Sequence, residues 1–277
     1  MSPGRLSVVA TPLGNLGDLT PRAAATLREA DLVAAEDTRR ARTLLTHVEA
    51  RPRVLSFHAH SPASRLETIL ARLDDGARVA LVTDAGTPTV SDPGAELVRR
   101  ARAAGHTVEA VAGPSAVAAA LSVSGLPADR FLFLGFPPRR GAERRALLGE
   151  AAQSPFTTVL FESPHRVARL LADLEAAAGP ERPAVVAREL TKRHEEVRAG
   201  TLHDLAVYYG EHEARGEVTV VLAGAARGAP SPATPLDDLA ARARTLLRRG
   251  LSRKDVARQL ADEGVSRNEA YRLVTDL

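Results

Sequence analysis

The sequence predicts an α/β protein, built as two α/β domains followed by a small helical unit. Short β-branched runs alternate with alanine-rich helical periods, the pattern of a largely parallel sheet with crossover helices. Capping side chains stand before prolines where helices should start. Glycine- and proline-rich loops follow the strand patterns, where open α/β sheets bind ligands.

In the first domain, residues 1–113, strands are expected at Leu6 to Ala10, Leu32 to Ala35, Arg53 to Phe57, Arg78 to Val82 and Val108 to Ala112. Thr20-Pro21 and Asp92-Pro93 each place a capping side chain before a proline at the first helical position, where the missing N–H costs nothing. The second domain, residues 114–224, follows Ser124-Gly125-Leu126-Pro127, with strands near Phe131 to Phe136, Thr157 to Phe161, Ala184 to Arg188 and Glu217 to Leu222. The stretch Ala223 to Pro235 has no periodicity, and residues 225–235 read as a linker. Residues 236–277 are helical, broken at Gly250-Leu251-Ser252 and Gly264-Val265-Ser266, each break ending in a serine that can cap the next helix. This unit is similar to a helix-turn-helix, and its arginines suit RNA phosphates. The interleaved Asp255, Asp262 and Glu263 also fit a solvated helical hairpin.

Hydrophobic residues make up 44% of the 277 and charged residues 26%, and no apolar run approaches the roughly 20 residues of a bilayer span. The N-terminal MSPGRLSVVATPLG lacks the marks of a secretory signal, so a cytoplasmic location is expected. With no cysteine there is no disulfide, thiolate metal site or cysteine nucleophile. A net charge of +3 in an arginine-rich chain favours a polyanionic partner without requiring one.

The first βα turn, VATPLGNLGD, lacks the G-x-G-x-x-G of dinucleotide folds, and no G-x-x-x-x-G-K-S/T phosphate loop occurs. The richest segment is LVTDAGTPTVSDPG, where Asp84 ends an apolar strand and Gly86 allows close approach of a small polar cofactor. A second loop, VAGPSAV, puts Ser115 at another strand-to-helix junction, as opposite wall or as cap. FESPHR and ARELTK carry charges where strands end, consistent with a cleft or with surface ion pairs. In SFHAHS, His58 and His60 would point to one side of an extended segment, which is too few ligands for a metal, and none is expected.

TPLGNLGDLT, AEDTRR, SFHAHS, LVTDAGTPTVSDPG, AGPSAVAAALSVSGLPADRFLFLGFPPR, FESPHR and ARELTK, in this order, resemble the tetrapyrrole methylase superfamily in its branch of bacterial small-subunit ribosomal RNA methyltransferases. The likeness runs from about Leu6 to the C-terminus, with one departure at Pro62, beside His60, where a polar residue would be usual. It implies the two-domain tetrapyrrole methylase (class III methyltransferase) fold, a homodimer, and S-adenosylmethionine in a cleft between the domains. The implied reaction is 2′-O-methylation of a cytidine in the decoding region of 16S rRNA within the small subunit. By motif position the cofactor pocket falls on Asp84, Ala85, Gly86, Thr87, Pro88, Ser115 and Ala116, with walls at Pro12, Phe161, Leu190, Glu217 and Val218. A ribose hydroxyl is a poor acid, so a base or an organised cationic group is needed; Glu189, His58 and Lys192 are candidates, and Arg188 could position a phosphate. Two other readings stay open: a methylase of a small tetrapyrrole, and a non-catalytic rRNA-binding assembly factor.

Overall fold

The computed structural model of the protein describes residues 4–225, 236–249, 251–262 and 267–275. The chain forms two compact units, Met1–Gly224 and Ala225–Leu277. The first unit holds two five-stranded sheets.

Sheet one consists of β1 (Arg5–Val9), β2 (Leu32–Ala35), β3 (Arg53–Ser56), β4 (Arg78–Val82) and β5 (Thr107–Val111), in the order β3-β2-β4-β1-β5, with every neighbouring pair parallel. A parallel strand covered on both faces reads as a continuous apolar run, as the fully buried LVAA of β2 does. The helices α1 (Pro21–Glu29) and α2 (Thr38–His47) bury Leu27, Leu44 and Leu45 on one face, and α3 (Ala63–Asp74) and α4 (Ala95–Ala103) bury Ile69, Leu73 and Leu97 on the other. The chain therefore leaves β1 and β4, which are neighbours, toward opposite faces. That divergence opens a crevice at their carboxyl ends, the usual ligand position in open α/β sheets.

Helix α1 starts as expected, with Thr20 accepting the Ala23 N–H at 3.1 Å and Pro21 in the first turn. Asp92 is a correction. It does not cap α4, which begins at Ala95 behind Gly94. Left-handed backbone at Thr89 (φ 73°) and Ser91 (φ 62°) turns the loop so that Asp92 lines a cavity instead. His58 and His60 also differ from expectation: they lie in a turn, where Ser61 N donates to the His58 carbonyl at 2.9 Å, and not on an extended segment.

Sheet two contains β6 (Phe131–Gly135), β7 (Thr157–Glu162), β8 (Pro183–Arg188), β9 (Glu196–Thr201) and β10 (Val218–Leu222), ordered β6-β7-β10-β8-β9. Only β6 and β7 run parallel. Alternate residues serve alternate faces. Ala184, Val186, Val220 and Leu222 pack with α6 (Ala142–Gln153), α7 (Val167–Ala178) and α8 (Leu202–Glu211). Val185, Ala187 and Val221 pack with α5 (Ala116–Ser124) and with Leu13 from the loop after β1, so α5 joins the two sheets. The edge strand β9 was not expected, because EVRAGT has little apolar alternation; pairing with β8 and the Arg188–Glu196 ion pair at 2.6 Å fix it.

The second unit contains α9 (Leu236–Arg248), α10 (Arg253–Asp262) and α11 (Arg267–Thr275), packed around Ala243, Leu246, Val256, Leu260, Ala270 and Val274. Ser252 caps α10 by accepting the Asp255 N–H at 3.2 Å. Most of the expected linker, together with Gly250 and Gly264-Val265-Ser266, lies outside the described residues. Among the described residues no helix is long and apolar enough to cross a membrane.

Candidate active site

Three loops meet at the crevice. The loop after β1 and the loop after β4 are tied by reciprocal backbone bonds, Thr11 N–H to the Gly86 carbonyl at 2.8 Å and Gly86 N–H to the Thr11 carbonyl at 3.0 Å. Thr87 Oγ1 donates to the Pro114 carbonyl at 3.1 Å and so fastens the loop after β5. Gly86 makes the close approach possible: its φ is 79°, and a Cβ there would meet Leu13 Cδ2 at 3.3 Å.

The cavity bounded by these loops and by the ends of β7 and β10 has a volume of about 360 Å³, within the range of small-molecule sites. Of the residues expected to hold a cofactor, Asp84, Ala85, Gly86, Thr87, Ser115, Ala116, Phe161, Glu217 and Val218 line it. Pro12, Pro88 and Leu190 are buried beside those loops and do not line it. Ser115 precedes α5 but makes no capping bond with its side chain. Lining residues that sequence reasoning missed include Leu13, Val90, Asp92, Val117, Phe136 and Glu162, although these stand within segments already conspicuous for strand-end charge or glycine.

The walls are apolar at Leu13, Val117, Phe161 and Val218, and the polar side chains are the carboxylates of Asp84, Asp92, Glu162 and Glu217 together with serine and threonine hydroxyls. Asp84 Oδ1 accepts the Asp37 N–H at 3.1 Å, and its Oδ2 lies 3.6 Å from Arg40 Nε. Burial lifts the neighbouring Glu36 carboxyl above its ordinary pKa. Glu162 is fully buried, bound to Arg166 and to the Ser163 N–H at 2.7 Å, with Arg144 at 3.8 Å. Backbone strain gathers here too. Thr89, Ser91, Glu189 and Thr191 all have left-handed φ, which costs on the order of 1–3 kcal/mol each and marks loops held by their surroundings.

Burial, reinforced by Glu36, Asp84 and Glu217, pushes the Asp92 carboxyl up to about 6. An unfolded Asp titrates near 3.9, so between about pH 4 and 6 the folded chain holds more protons and stability falls as pH rises. Asp92→Asn should therefore raise the melting temperature at pH 7.5 and leave it nearly unchanged at about pH 3, below the unfolded value. The gain is roughly 1–2 kcal/mol after discounting for solvent screening. Thermal melts across that range check it; an equal gain at both pH values removes the titration argument.

Glu189, Lys192 and Glu217 come together at the cavity edge. Lys192 Nζ donates to Glu189 Oε1 at 2.7 Å and to Glu217 Oε2 at 2.8 Å, and the Glu217 N–H reaches Glu189 Oε1 at 3.2 Å. The Lys192 hydrogen bond holds Glu189 below its ordinary pKa. Burial disfavours the charged Lys192, but the two carboxylates outweigh it and its pKa rises. The lysine thus stays an ammonium and Glu189 a carboxylate. Arg188 is engaged with Glu196 on β9. The structure does not bring His58 to this cluster; its Nδ1 accepts the His60 N–H at 3.2 Å, and it lies on the Glu36 side.

The family model for tetrapyrrole (corrin/porphyrin) methylases matches residues 5–206. A Synechocystis protein named ribosomal RNA small subunit methyltransferase I is 44% identical, over 99% of this chain and 98% of its own. A Mycobacterium tuberculosis protein of the same name is 46% identical, over 98% and 94% respectively. Among solved structures, a uroporphyrin-III C-methyltransferase from Thermus thermophilus, complexed with S-adenosyl homocysteine, superposes with a TM-score of 0.58. It shares 22% identity and covers 81% of this chain and 99% of its own, a likeness of fold.

Proposed function

This chain belongs to the tetrapyrrole (corrin/porphyrin) methylase family, and from that premise we propose that it is an S-adenosylmethionine-dependent methyltransferase of small-subunit ribosomal RNA. The observation that carries the reading is the cavity where the three strand-end loops meet β7 and β10, in a chain matched to the named rRNA methyltransferases over 98–99% of its length. The finer reading is transfer to the 2′-hydroxyl of a cytidine in the decoding region of 16S rRNA, in the assembled subunit, by a cytoplasmic homodimer. The match extends over the C-terminal unit as well, and this favours RNA over a small tetrapyrrole.

The cavity fits the cofactor by chemistry. Apolar walls suit a purine and a methylene chain, and the carboxylates Asp84, Asp92 and Glu217 suit a molecule bearing a sulfonium and an ammonium. When bound, the cofactor supplies a methyl group that is already electrophilic. The protein's residues must then align the hydroxyl, exclude water and accept a proton. Glu189 and Lys192 neutralise each other, so they act as a positioning pair that fixes Glu217 at the cavity edge. Proton acceptance falls to Asp92, which lines the cavity, whereas His58 does not line it.

The test supplies methyl-tritiated S-adenosylmethionine with small subunits lacking the modification, with free 16S RNA, and with a tetrapyrrole precursor. Nuclease digestion and mass spectrometry should place the label on a ribose of the subunit RNA. Label on the tetrapyrrole, or no transfer to any RNA, overturns the reading.

A further inference from the structure

The cavity mouth carries an aromatic side chain to which the proposed reaction has so far given no role. Phe136 is 55% exposed, in a chain with only six phenylalanines, three tyrosines and no tryptophan. Its ring lies 5.4 Å from that of Phe161, which in turn meets Phe133 edge-on at 5.0 Å. The two inner rings are half-buried against the core, Phe161 also forming a wall of the cavity, and the outermost is left open.

The backbone aims this side chain. In a regular strand, residue 136 would follow Leu132 and Leu134 onto the face covered by α6, α7 and α8, where Leu134 packs. The register of β6 against β7 shifts between Phe133 and Gly135, and Gly135 has a φ of 62°. Such a bulge moves the following residue to the other face. Phe136 accordingly joins Phe133 and Phe161 on the cavity side. A Cβ at Gly135 would stand 2.9 Å from Ser91 Oγ, so this geometry depends on glycine. The next residues are held as well: buried Arg144 donates from Nη1 to the Pro138 carbonyl at 3.1 Å. Arg139 and Arg140 follow, both exposed and neither in an ion pair among the described residues, in contrast to Arg144 and Arg166, which are bound to Glu162.

We propose that Phe136 is the stacking platform for the nucleobase of the target nucleotide, with Arg139 and Arg140 receiving the adjacent phosphates. The proposal rests on the reading of the site as that of an RNA methyltransferase. Methylating a ribose hydroxyl inside an enclosed cavity requires the nucleotide to leave its helical stack, and proteins hold such bases on aromatic faces. A ring at the rim, backed by a second ring and followed by two exposed guanidinium groups, offers both kinds of contact along one short segment.

The test uses the full-length protein with Phe136→Ala, Phe136→Leu and Phe136→Tyr, and the pair Arg139→Ala, Arg140→Ala. Calorimetry reads S-adenosylmethionine affinity, sedimentation reads oligomeric state, and label transfer to unmodified small subunits reads kcat/KM. Phe136→Ala and Phe136→Leu should each lower kcat/KM by about tenfold or more, the scale of base–aromatic stacking, while Phe136→Tyr retains most of it. Cofactor affinity and sedimentation should not change. The double arginine variant should raise KM and flatten the logarithmic salt dependence by roughly 0.7–0.9 for each phosphate it no longer neutralises. Wild-type activity in Phe136→Leu shows simple apolar packing and overturns the platform. So does a change in sedimentation or cofactor affinity, which would make Phe136 an interface or a cofactor wall. If the wild-type protein transfers no label to RNA, the underlying reading fails first, and the platform with it.

Discussion

Replacing Asp84 with alanine is expected to weaken S-adenosylmethionine binding by roughly ten- to one-hundredfold, the scale of a lost hydrogen bond to a charged group. Asp84 acts in two ways. Its carboxylate lines the cavity, and it also pins the start of α2 by accepting the Asp37 N–H at 3.1 Å beside Arg40. Alanine removes the charge that lines the cavity and leaves that N–H without its acceptor. Asp84→Asn separates the two effects, because an amide oxygen can still accept from Asp37 while the charge is gone. If electrostatics dominates, both variants lose similar affinity. If loop anchoring dominates, the asparagine form recovers most of it. Calorimetric titration beside thermal melting decides the matter, and a folded alanine variant with wild-type affinity removes Asp84 from the site.

A chain ending at Gly224 is expected to keep cofactor binding and to show methylation of small subunits reduced by at least about one-hundredfold. Every residue of the cavity precedes that point, and Met1–Gly224 is compact by itself. The removed unit carries Arg242, Arg244, Arg248, Arg249, Arg253, Lys254 and Arg258, all exposed. Each phosphate neutralised by such groups adds about 0.7–0.9 to the slope of log affinity against log salt, so the full chain should bind RNA with a steep salt dependence and the shortened chain with a shallow one. A helical unit that only stabilises the protein would instead change melting temperature or oligomer size and leave the salt slope alone. Full activity in a monodisperse shortened chain would sink the RNA-anchor idea.

Much of the fold was legible because its signals are local. Strands β2 and β4 lie at the expected residues, Leu32–Ala35 and Arg78–Val82, since a strand buried on both faces must be written as an apolar run. Thr20-Pro21 marks its helix because the cap and the proline act within one turn. The loops that carry Asp84, Gly86 and Ser115 could be picked out as cavity-lining because strand-end loops rich in glycine and proline stand out in any α/β sequence, whereas Thr87 came only with the family resemblance. The ordered motifs pointed to the family that the comparisons then showed.

What the sequence determined by itself, then, was the set of elements and the family, because period, capping and motif order are properties of neighbouring residues. Which side chains meet was decided only in the tertiary structure. Asp92 looked like a helix cap until left-handed turns at Thr89 and Ser91 carried it into the cavity. Glu189 and Lys192 looked like a base and a cation until each was seen to neutralise the other beside Glu217. Strand β9 exists because β8 offers it a partner and Arg188 a counter-charge, and Phe136 faces the cavity because one bulge reverses the alternation of β6. These outcomes depend on contacts between residues far apart in the chain and on single backbone angles. Neither leaves a periodic trace in the sequence.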